Sequence, residues 1–221
     1  MVTITDNFSS LMTSILFVEQ YSKQPDDIPS ISQIFIQDQG KQIREDKLIG
    51  KFPKWGPTFE IKFEVKLNSF PNSGPLREII KFTAGKGDCC LLGQRIPAVY
   101  LGSSCYRVHF VDLIDQLVDP ASETISIATS IGKSGNTTFN IDGIVEGRWY
   151  SFIIKQKGDH KSDFYFQVLL NGKERINVLN PVPLSFSNIS VYAASKFHPA
   201  ADGFLKNVEA STEPDGIFFF K

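Results

Sequence analysis

Apolar and polar residues alternate with a period of two along much of the chain. The longest such stretch is TFEIKFEVKL, residues 58–67, in which every odd position is apolar and the even positions from 60 to 66 are charged. Successive side chains of an extended strand point to opposite faces of a sheet. The pattern therefore predicts a β-strand with one buried and one solvated face.

Shorter stretches with the same period follow, separated by residues that favour turns. They include REIIKFT, ETISIAT, TTFNIDG, RWYSFIIKQ, DFYFQVLL, KERINV, FSNISVYAA and GFLKNVEA. Asn171-Gly172 predicts the two-residue turn of a β-hairpin, because both residue types tolerate positive φ. About a dozen short strands with no convincing helix between them predict an all-β fold, a two-sheet antiparallel β-sandwich.

The flanks of this strand-rich region differ from it in composition. Residues 1–30 are interpreted as an N-terminal leader or extension, residues 31–212 as the sandwich domain and residues 213–221 as a C-terminal apolar tail. The segment LMTSILFV at 11–18 has the length of a signal-peptide apolar region but lacks a preceding basic residue. The tail IFFFK either packs as a last strand, which is favoured, or pairs with the sheet edge of another copy.

Charge and hydropathy exclude two classes of partner. The 221 residues carry 23 Lys and Arg against 24 Asp and Glu, for a net charge of −1, with no long run of either sign. This balance lacks the basic surface that attracts nucleic acids or anionic membranes. No apolar run approaches the roughly 18 residues that a membrane-spanning helix requires. We therefore expect one sandwich domain that neither binds nucleic acid nor spans a membrane.

Three cysteines, Cys89, Cys90 and Cys105, are the disulfide candidates. On a strand the adjacent Cys89 and Cys90 point to opposite sides, so only one of them comfortably reaches Cys105. Such a bridge requires an oxidising compartment and leaves one thiol over. No histidine stands near these thiols at ligand spacing, which argues against a zinc site.

The aromatic pair Trp149-Tyr150 in GRWYSFIIKQ must face opposite sides of its strand, so one ring belongs to the core. In the neighbouring stretch DFYFQVLL, Tyr165 lies on the less apolar row. Trp149 then has two interpretations. Either it shares with Tyr165 an aromatic platform on a concave sheet face, on which a sugar would stack, or it fills the core. The core interpretation is favoured because large aromatic side chains dominate core energetics.

Five segments, taken in order, resemble the concanavalin-A-like jelly-roll superfamily, and laminin-G-like and pentraxin-like modules in particular. They are FEIKFEVKLNSFP, RIPAV at 95–99, GRWYSFIIKQ, FYFQVLLNGK and FSNISVYAASKFHPAADGFLKN, and they span most of the chain. The resemblance implies a jelly roll that acts as a secreted, extracellular recognition module. Such a module binds a glycan or an extracellular protein, in some members with calcium, and a homo-oligomer is compatible with it.

Candidate site residues follow from the resemblance. Trp149, Tyr165, His198 and Asp202 are the ligand-binding candidates, and Asp88, Asp142 and Asn207 are the candidate oxygen ligands for calcium, although they do not form a dense acidic loop. Two of these residues also have simpler interpretations, which are favoured. Asp202 in AADG is typical of a turn residue next to glycine, and His198 is typical of a loop histidine without a second ligand nearby.

Motifs that would indicate an enzyme are missing from the sequence. There is no Glu-x-Asp-x-x-Glu strand of the glucanases of this fold, no nucleophile with a base and no glycine-rich phosphate loop. The galectin pattern His-x-Asn-x-Arg is missing as well. Our first hypothesis is a non-catalytic, lectin-like module that binds its ligand through rim loops or the concave sheet face. The second is a structural protein that self-assembles into oligomers or fibres through its terminal segments and sheet edges.

Overall fold

The computed structural model describes residues 30–70, 75–85, 87, 91–102, 124–132, 134–158 and 163–213. All the secondary-structure elements within these ranges are β-strands, which confirms the predicted all-β class. The strands are β1 (Ile31–Ile36), β2 (Lys41–Gln42), β3 (Leu48–Trp55), β4 (Thr58–Leu67), β5 (Arg77–Thr83), β6 (Ala98–Leu101), β7 (Ile125–Ile131), β8 (Ser134–Ile141), β9 (Trp149–Gly158), β10 (Phe164–Leu170), β11 (Lys173–Asn180), β12 (Phe186–Tyr192) and β13 (Gly203–Glu213). Among the described residues, no helix is long and apolar enough to cross a membrane.

The strands form two antiparallel sheets. The seven-stranded sheet has the order β1-β13-β4-β9-β10-β11, with β2 also paired to β13, and the six-stranded sheet has the order β3-β12-β5-β6-β7-β8. Some neighbours in each sheet are consecutive in sequence, as β10 and β11 are, whereas others are distant, as β13 beside β4 illustrates. The predicted two-sheet antiparallel β-sandwich is therefore confirmed, and at the level of fold so is the resemblance to jelly rolls.

The core lies between the sheets and is built from one side-chain row of each strand. In β4 the five odd-numbered residues from 59 to 67 are buried, as the alternation predicts. Aromatic rings from the two sheets pack against each other. The ring centres of Phe139 (β8) and Phe166 (β10) are 5.8 Å apart, and those of Trp55 (β3) and Phe59 (β4) are 5.3 Å apart. Stacked and tilted contacts between rings stabilise aromatic pairs beyond the area that they bury.

Some local predictions are confirmed and others lie beyond the described ranges. Asn171 and Gly172 have φ values of 51° and 77°, as the hairpin turn requires. Three strands, β1, β2 and β3, were not predicted. Gly50 and Pro53 interrupt the alternation in β3, β1 has no clear polar face, and β2 is only two residues long. The leader up to residue 29, the tail from residue 214 and all three cysteines lie outside the described residues, so the interpretations made for them stay predictions.

A buried chain of amide groups links the sheets at one end of the sandwich. The Asn180 Nδ2 group donates to Gln156 Oε1 at 2.7 Å, and Gln156 Nε2 donates to the Pro57 carbonyl at 2.6 Å. The Gly132 amide, in the turn between β7 and β8 of the other sheet, donates to Asn180 Oδ1 at 2.8 Å. Each buried amide is thereby satisfied, which is the condition under which buried polar groups stabilise a fold.

We expect Asn180→Ala to lower the free energy of unfolding by about 1–3 kcal/mol, because it leaves the Gly132 amide and the Gln156 carbonyl buried without these partners. The matched control is Asn177→Ala on the same strand, where the side chain is exposed, and its effect should stay within about 0.5 kcal/mol. Urea denaturation of the three proteins measures both changes. Equal losses in the two variants would contradict the role assigned to the buried chain.

Candidate functional site

A groove lies on the outer face of the six-stranded sheet, where β5 and β12 pair. Its volume is about 470 Å³. The register places Ser190 opposite Thr83 and Tyr192 opposite Lys81. Because Val191 between them points into the core, the side chains of Ser190 and Tyr192 point outward. This sheet-face groove is lined by Asp46, Thr83, Ala84, Gly85, Asn188, Ser190, Tyr192, Ser195, Lys196 and Phe197.

One wall of the groove is the loop after β12, and a buried carboxylate holds it in place. Glu78 of β5 has no exposed surface. Its Oε1 atom accepts a hydrogen bond of 2.6 Å from the Ser195 amide, and its Oε2 atom accepts one of 3.0 Å from the Ser195 hydroxyl. The Glu78 backbone continues this attachment, since its amide donates to the Pro199 carbonyl and its carbonyl accepts from the Ala201 amide. Ser195 and its neighbours are thus attached to the sheet.

Burial raises the pKa of the Glu78 carboxyl, because removal from water penalises the charged form. The ammonium group of Lys81, the two Ser195 hydrogen bonds and the nearby His198 act in the opposite direction. Lys81 is itself fully buried. Two oppositely charged groups therefore lie beneath the groove, where their mutual attraction offsets part of the cost of their burial.

Phe197 gives the groove an exposed aromatic ring. Its side chain is 37% exposed. The Lys81 Nζ atom lies 4.8 Å from the centre of the ring and the Lys196 Nζ atom 5.6 Å from it. Cations near an aromatic face are attracted by its quadrupole, so the two lysines help to fix the ring. The Phe197 amide also donates to Ser195 Oγ at 3.4 Å.

His198 lies beside this loop and packs against the sheet. Its ring makes an edge contact with Tyr100, with 5.1 Å between the ring centres and 74° between their planes. The Arg95 guanidinium carbon lies 5.1 Å from the centre of the same Tyr100 ring, and Arg95 Nη1 donates to Asn136 Oδ1 at 2.8 Å. His198 is not among the residues that line the groove. Its predicted part in ligand binding stays a prediction.

The structure places Trp149 and Tyr165 far apart on the outer face of the seven-stranded sheet. Trp149 pairs with Lys66, whereas Tyr165 pairs with Lys157, eight residues further along β9. At about 3.3 Å per residue the two rings are roughly 26 Å apart along the strand. The prediction of a shared aromatic platform is therefore wrong. Trp149 lies at one end of β9, and the antiparallel register places Tyr165 of β10 beside the other end.

Trp149 also does not fill the core, contrary to the favoured interpretation. It is 36% exposed, whereas Tyr150 is 8% exposed. The Tyr150 hydroxyl oxygen accepts a hydrogen bond of 2.9 Å from the Val145 amide. The ring of Trp149 has two ammonium groups nearby, with Lys206 Nζ at 4.6 Å and Lys66 Nζ at 5.5 Å from its centre. These cations stabilise an aromatic ring that lies on the sheet surface.

Asp202 acts in the structure as a turn residue, as the simpler interpretation has it. Its Oδ1 atom accepts from Asn68 Nδ2 at 3.0 Å and its Oδ2 atom accepts from Ser69 Oγ at 2.9 Å. These two hydrogen bonds lower the pKa of the Asp202 carboxyl, because they stabilise its charged form. They join the end of β4 to the start of β13.

The described residues do not fit the calcium site that the resemblance implies. Asp142 follows β8 of one sheet and accepts a 2.7 Å hydrogen bond from Thr124 Oγ1. Asn207 lies in β13 of the other sheet and donates to Glu64 Oε1 at 2.7 Å. Asp88 lies outside the described residues. Within those residues, no three His, Cys, Asp or Glu side chains come together as metal ligands would.

Comparison with known proteins finds structural similarity at low sequence identity. No protein-family model and no curated protein sequence matches the chain. Among solved structures, a heptameric SAP-like pentraxin from Limulus polyphemus is similar over 81% of this chain and 75% of its own, with 13% identity and a TM-score of 0.47. The receptor-binding domain of botulinum neurotoxin D is similar over 86% of this chain, which spans 46% of that chain, with 8% identity and a TM-score of 0.46. Domain 4 of an extracellular arabinanase from Geobacillus stearothermophilus, in complex with arabinotriose, shows 12% identity over 84% of this chain and 82% of its own, with a TM-score of 0.42.

The residues that line the sheet-face groove were not predicted from the sequence. The alternation in FSNISVY shows that Ser190 and Tyr192 share the solvated face of a strand. Nothing in the sequence shows that β12 pairs with β5, or that a loop closes over that pair. The sequence also does not indicate that Glu78 is buried, because a glutamate next to an arginine, as in REIIKF, is typical of a solvated position.

We expect Glu78→Gln to change how stability depends on pH. The pKa of Glu78 is higher in the folded than in the unfolded chain, so between the two values the folded state binds more protons and wild-type stability falls as pH rises. The glutamine cannot titrate, so this fall should be missing from the variant. Thermal midpoints across the range from acid to neutral pH measure the difference. The exposed Glu45→Gln serves as control, and parallel curves for wild type and Glu78→Gln would contradict the expectation.

Proposed function

We propose that this protein is a non-catalytic carbohydrate-recognition module that binds a glycan in the sheet-face groove. The observation that carries the proposal is the make-up of the groove, in which the rings of Tyr192 and Phe197 stand among short polar side chains. A sugar presents an apolar C–H face together with hydroxyl groups. It therefore requires an aromatic surface and hydrogen-bonding groups side by side, which is the general plan of a specific small-molecule site.

The polar groups of the groove suit hydroxyl groups in both directions. Asn188 supplies both an amide donor and a carbonyl acceptor, Ser190 supplies a hydroxyl, and Asp46 and Lys196 supply an acceptor and a donor of opposite charge. Asp46 and Asn188 have positive φ values of 53° and 57°, which asparagine and aspartate tolerate better than other side chains. These residue types therefore allow the turn at Asp46 and the positive φ of Asn188 within β12.

The groove is also held in a single arrangement before any ligand arrives. Glu78 fixes Ser195, and the lysine ammonium groups fix Phe197, as described above. A site whose walls are already ordered loses less conformational entropy on binding. This supports recognition in the groove rather than at Trp149, which lies outside the groove on the outer face of the other sheet.

We expect Tyr192→Ala and Phe197→Ala each to weaken glycan binding by about tenfold or more, because an aromatic surface that stacks on the ligand is lost. Trp149→Ala is the matched control, since it removes an exposed aromatic side chain from the other sheet. A glycan array identifies the ligand, and calorimetry on the variants measures affinity. Binding lost in Trp149→Ala but kept in both groove variants would overturn this placement of the site, and binding to no glycan would overturn the function.

A second candidate function is self-assembly through sheet edges. The edge strands of the seven-stranded sheet each expose a large apolar side chain: Ile34 on β1 is 61% exposed and Leu179 on β11 is 48% exposed. An unpaired edge with apolar side chains can pair with the edge of another copy and so continue the sheet. We also propose that the protein is secreted, because its sequence resembles jelly-roll modules that are extracellular. Both candidate functions permit secretion.

We expect the double variant Ile34→Lys with Leu179→Lys to be monomeric wherever the wild type assembles, because a charged side chain at an edge opposes strand pairing. Sedimentation velocity over a range of concentrations measures this, and Ser32→Lys on β1 tests whether any added charge suffices. A wild type that is monomeric at all concentrations would contradict assembly. Assembly retained by the double variant but abolished by deletion of residues 217–221 would assign it to the tail instead.

A further inference from the structure

A second groove lies at the side of the sandwich, between the edge strands β1 and β3. Among the described strands, β1 pairs only with β13 and β3 only with β12, so each of them is an edge strand of its sheet. The groove between them has a volume of about 450 Å³. Volumes of this size are typical of sites for small organic ligands. We call it the edge groove, and it is separate from the sheet-face groove.

The floor of the edge groove is apolar and leads into the core. It is formed by Phe35 and Ile36 of β1 and by Leu48 and Ile49 of β3. Leu48 remains 41% exposed, whereas Ile36 is 2% exposed. Apolar surface of this kind gains free energy when a ligand removes it from water, by about 25 cal/mol for each Å² that is covered.

Phe35 has its place on the floor because β3 carries a glycine opposite it. A Cβ atom on Gly50 would lie 2.0 Å from the Phe35 ring, so only glycine leaves room for the ring to lie against the strand. The ring then makes an edge contact with Phe52, with 5.8 Å between the centres. The floor is therefore a packed surface with a defined shape.

The rim of the edge groove carries three cations. Lys41, Arg44 and Lys47 line it, and among the described residues no acidic side chain does. All three are exposed, and within the described part of the chain none of them forms an ion pair. Glu45 and Asp46 lie between them in sequence, but neither lines this groove, and Asp46 lines the sheet-face groove instead.

We propose that the edge groove binds a single-chain anionic amphiphile, a carboxylate with a hydrocarbon tail, taken up as a free monomer. The tail would cover the apolar floor, and the carboxylate would accept hydrogen bonds from the rim. Arg44 suits this part because its planar guanidinium can donate two parallel hydrogen bonds to one carboxylate. The charge of the rim argues against a cationic head group, and the apolar floor argues against a bare anion.

The test compares dodecanoate and dodecyltrimethylammonium, two ligands that differ in head charge and have chains of twelve carbons, the carboxylate carbon of dodecanoate included. Calorimetry below the critical micelle concentration should show saturable binding of dodecanoate, and binding of the ammonium compound should be at least about tenfold weaker, the loss expected when charge-assisted hydrogen bonds are missing. Methyl NMR should show the signals of Leu48 and Ile49 shifting on addition of dodecanoate. This readout places the ligand in the groove without any mutation.

Charge reversal at the rim gives the second arm. Arg44→Glu with Lys47→Glu should weaken dodecanoate binding by about tenfold or more, while Lys51→Glu, on β3 but outside the groove, should leave it unchanged. All three positions of change are exposed, and circular dichroism checks that each variant folds. Equal affinity for the two head groups, no saturable binding, or methyl shifts confined to other residues would overturn the proposal. Binding only to phosphatidylglycerol vesicles would also overturn it, in favour of a membrane surface.

Discussion

Burial of one side-chain row from every strand between the two sheets is the constraint on which the rest of the molecule depends. Rings from both sheets meet there, as Phe139 with Phe166 and Trp55 with Phe59 show. Because successive side chains of a strand alternate, burial of one row forces the other row to face outward. The core thus determines which strand residues face outward and are available for function, independently of the loops.

The outward rows of the two sheets have different characters. On the seven-stranded sheet they carry charged and mixed side chains, with Lys206 next to Glu64 at 3.2 Å as an example. On the six-stranded sheet the outer side of β5 is itself buried, with Glu78 and Lys81 inaccessible to water beneath the loop that follows β12. A buried carboxylate is costly unless it is hydrogen bonded. Glu78 meets that condition only because the loop supplies the Ser195 amide and hydroxyl, so the loop and the sheet position each other.

Predictions from the sequence are confirmed where a pattern depends on neighbouring residues alone. The strand at 58–67 and the turn at Asn171-Gly172 follow from alternation and from backbone preference, and both are found. The prediction that Trp149 fills the core is wrong, because in β9 the residues on the buried row are Tyr150, Phe152 and Ile154. Alternation shows that Trp149 and Tyr150 differ in burial but not which of them is buried. That choice depends on the sheet that covers the strand.

The amino-acid sequence by itself determined that this is an all-β chain, where most of its strands lie and which residues of each strand share a face. These properties depend on interactions within a few residues, namely side-chain alternation and turn chemistry. Only the tertiary structure decided that β12 pairs with β5, that Glu78 is buried beneath a loop more than a hundred residues away, and that β1 and β3 border a groove with a cationic rim. Such contacts join segments that are remote in sequence. The sequence of one antiparallel strand does not identify the strand with which it pairs.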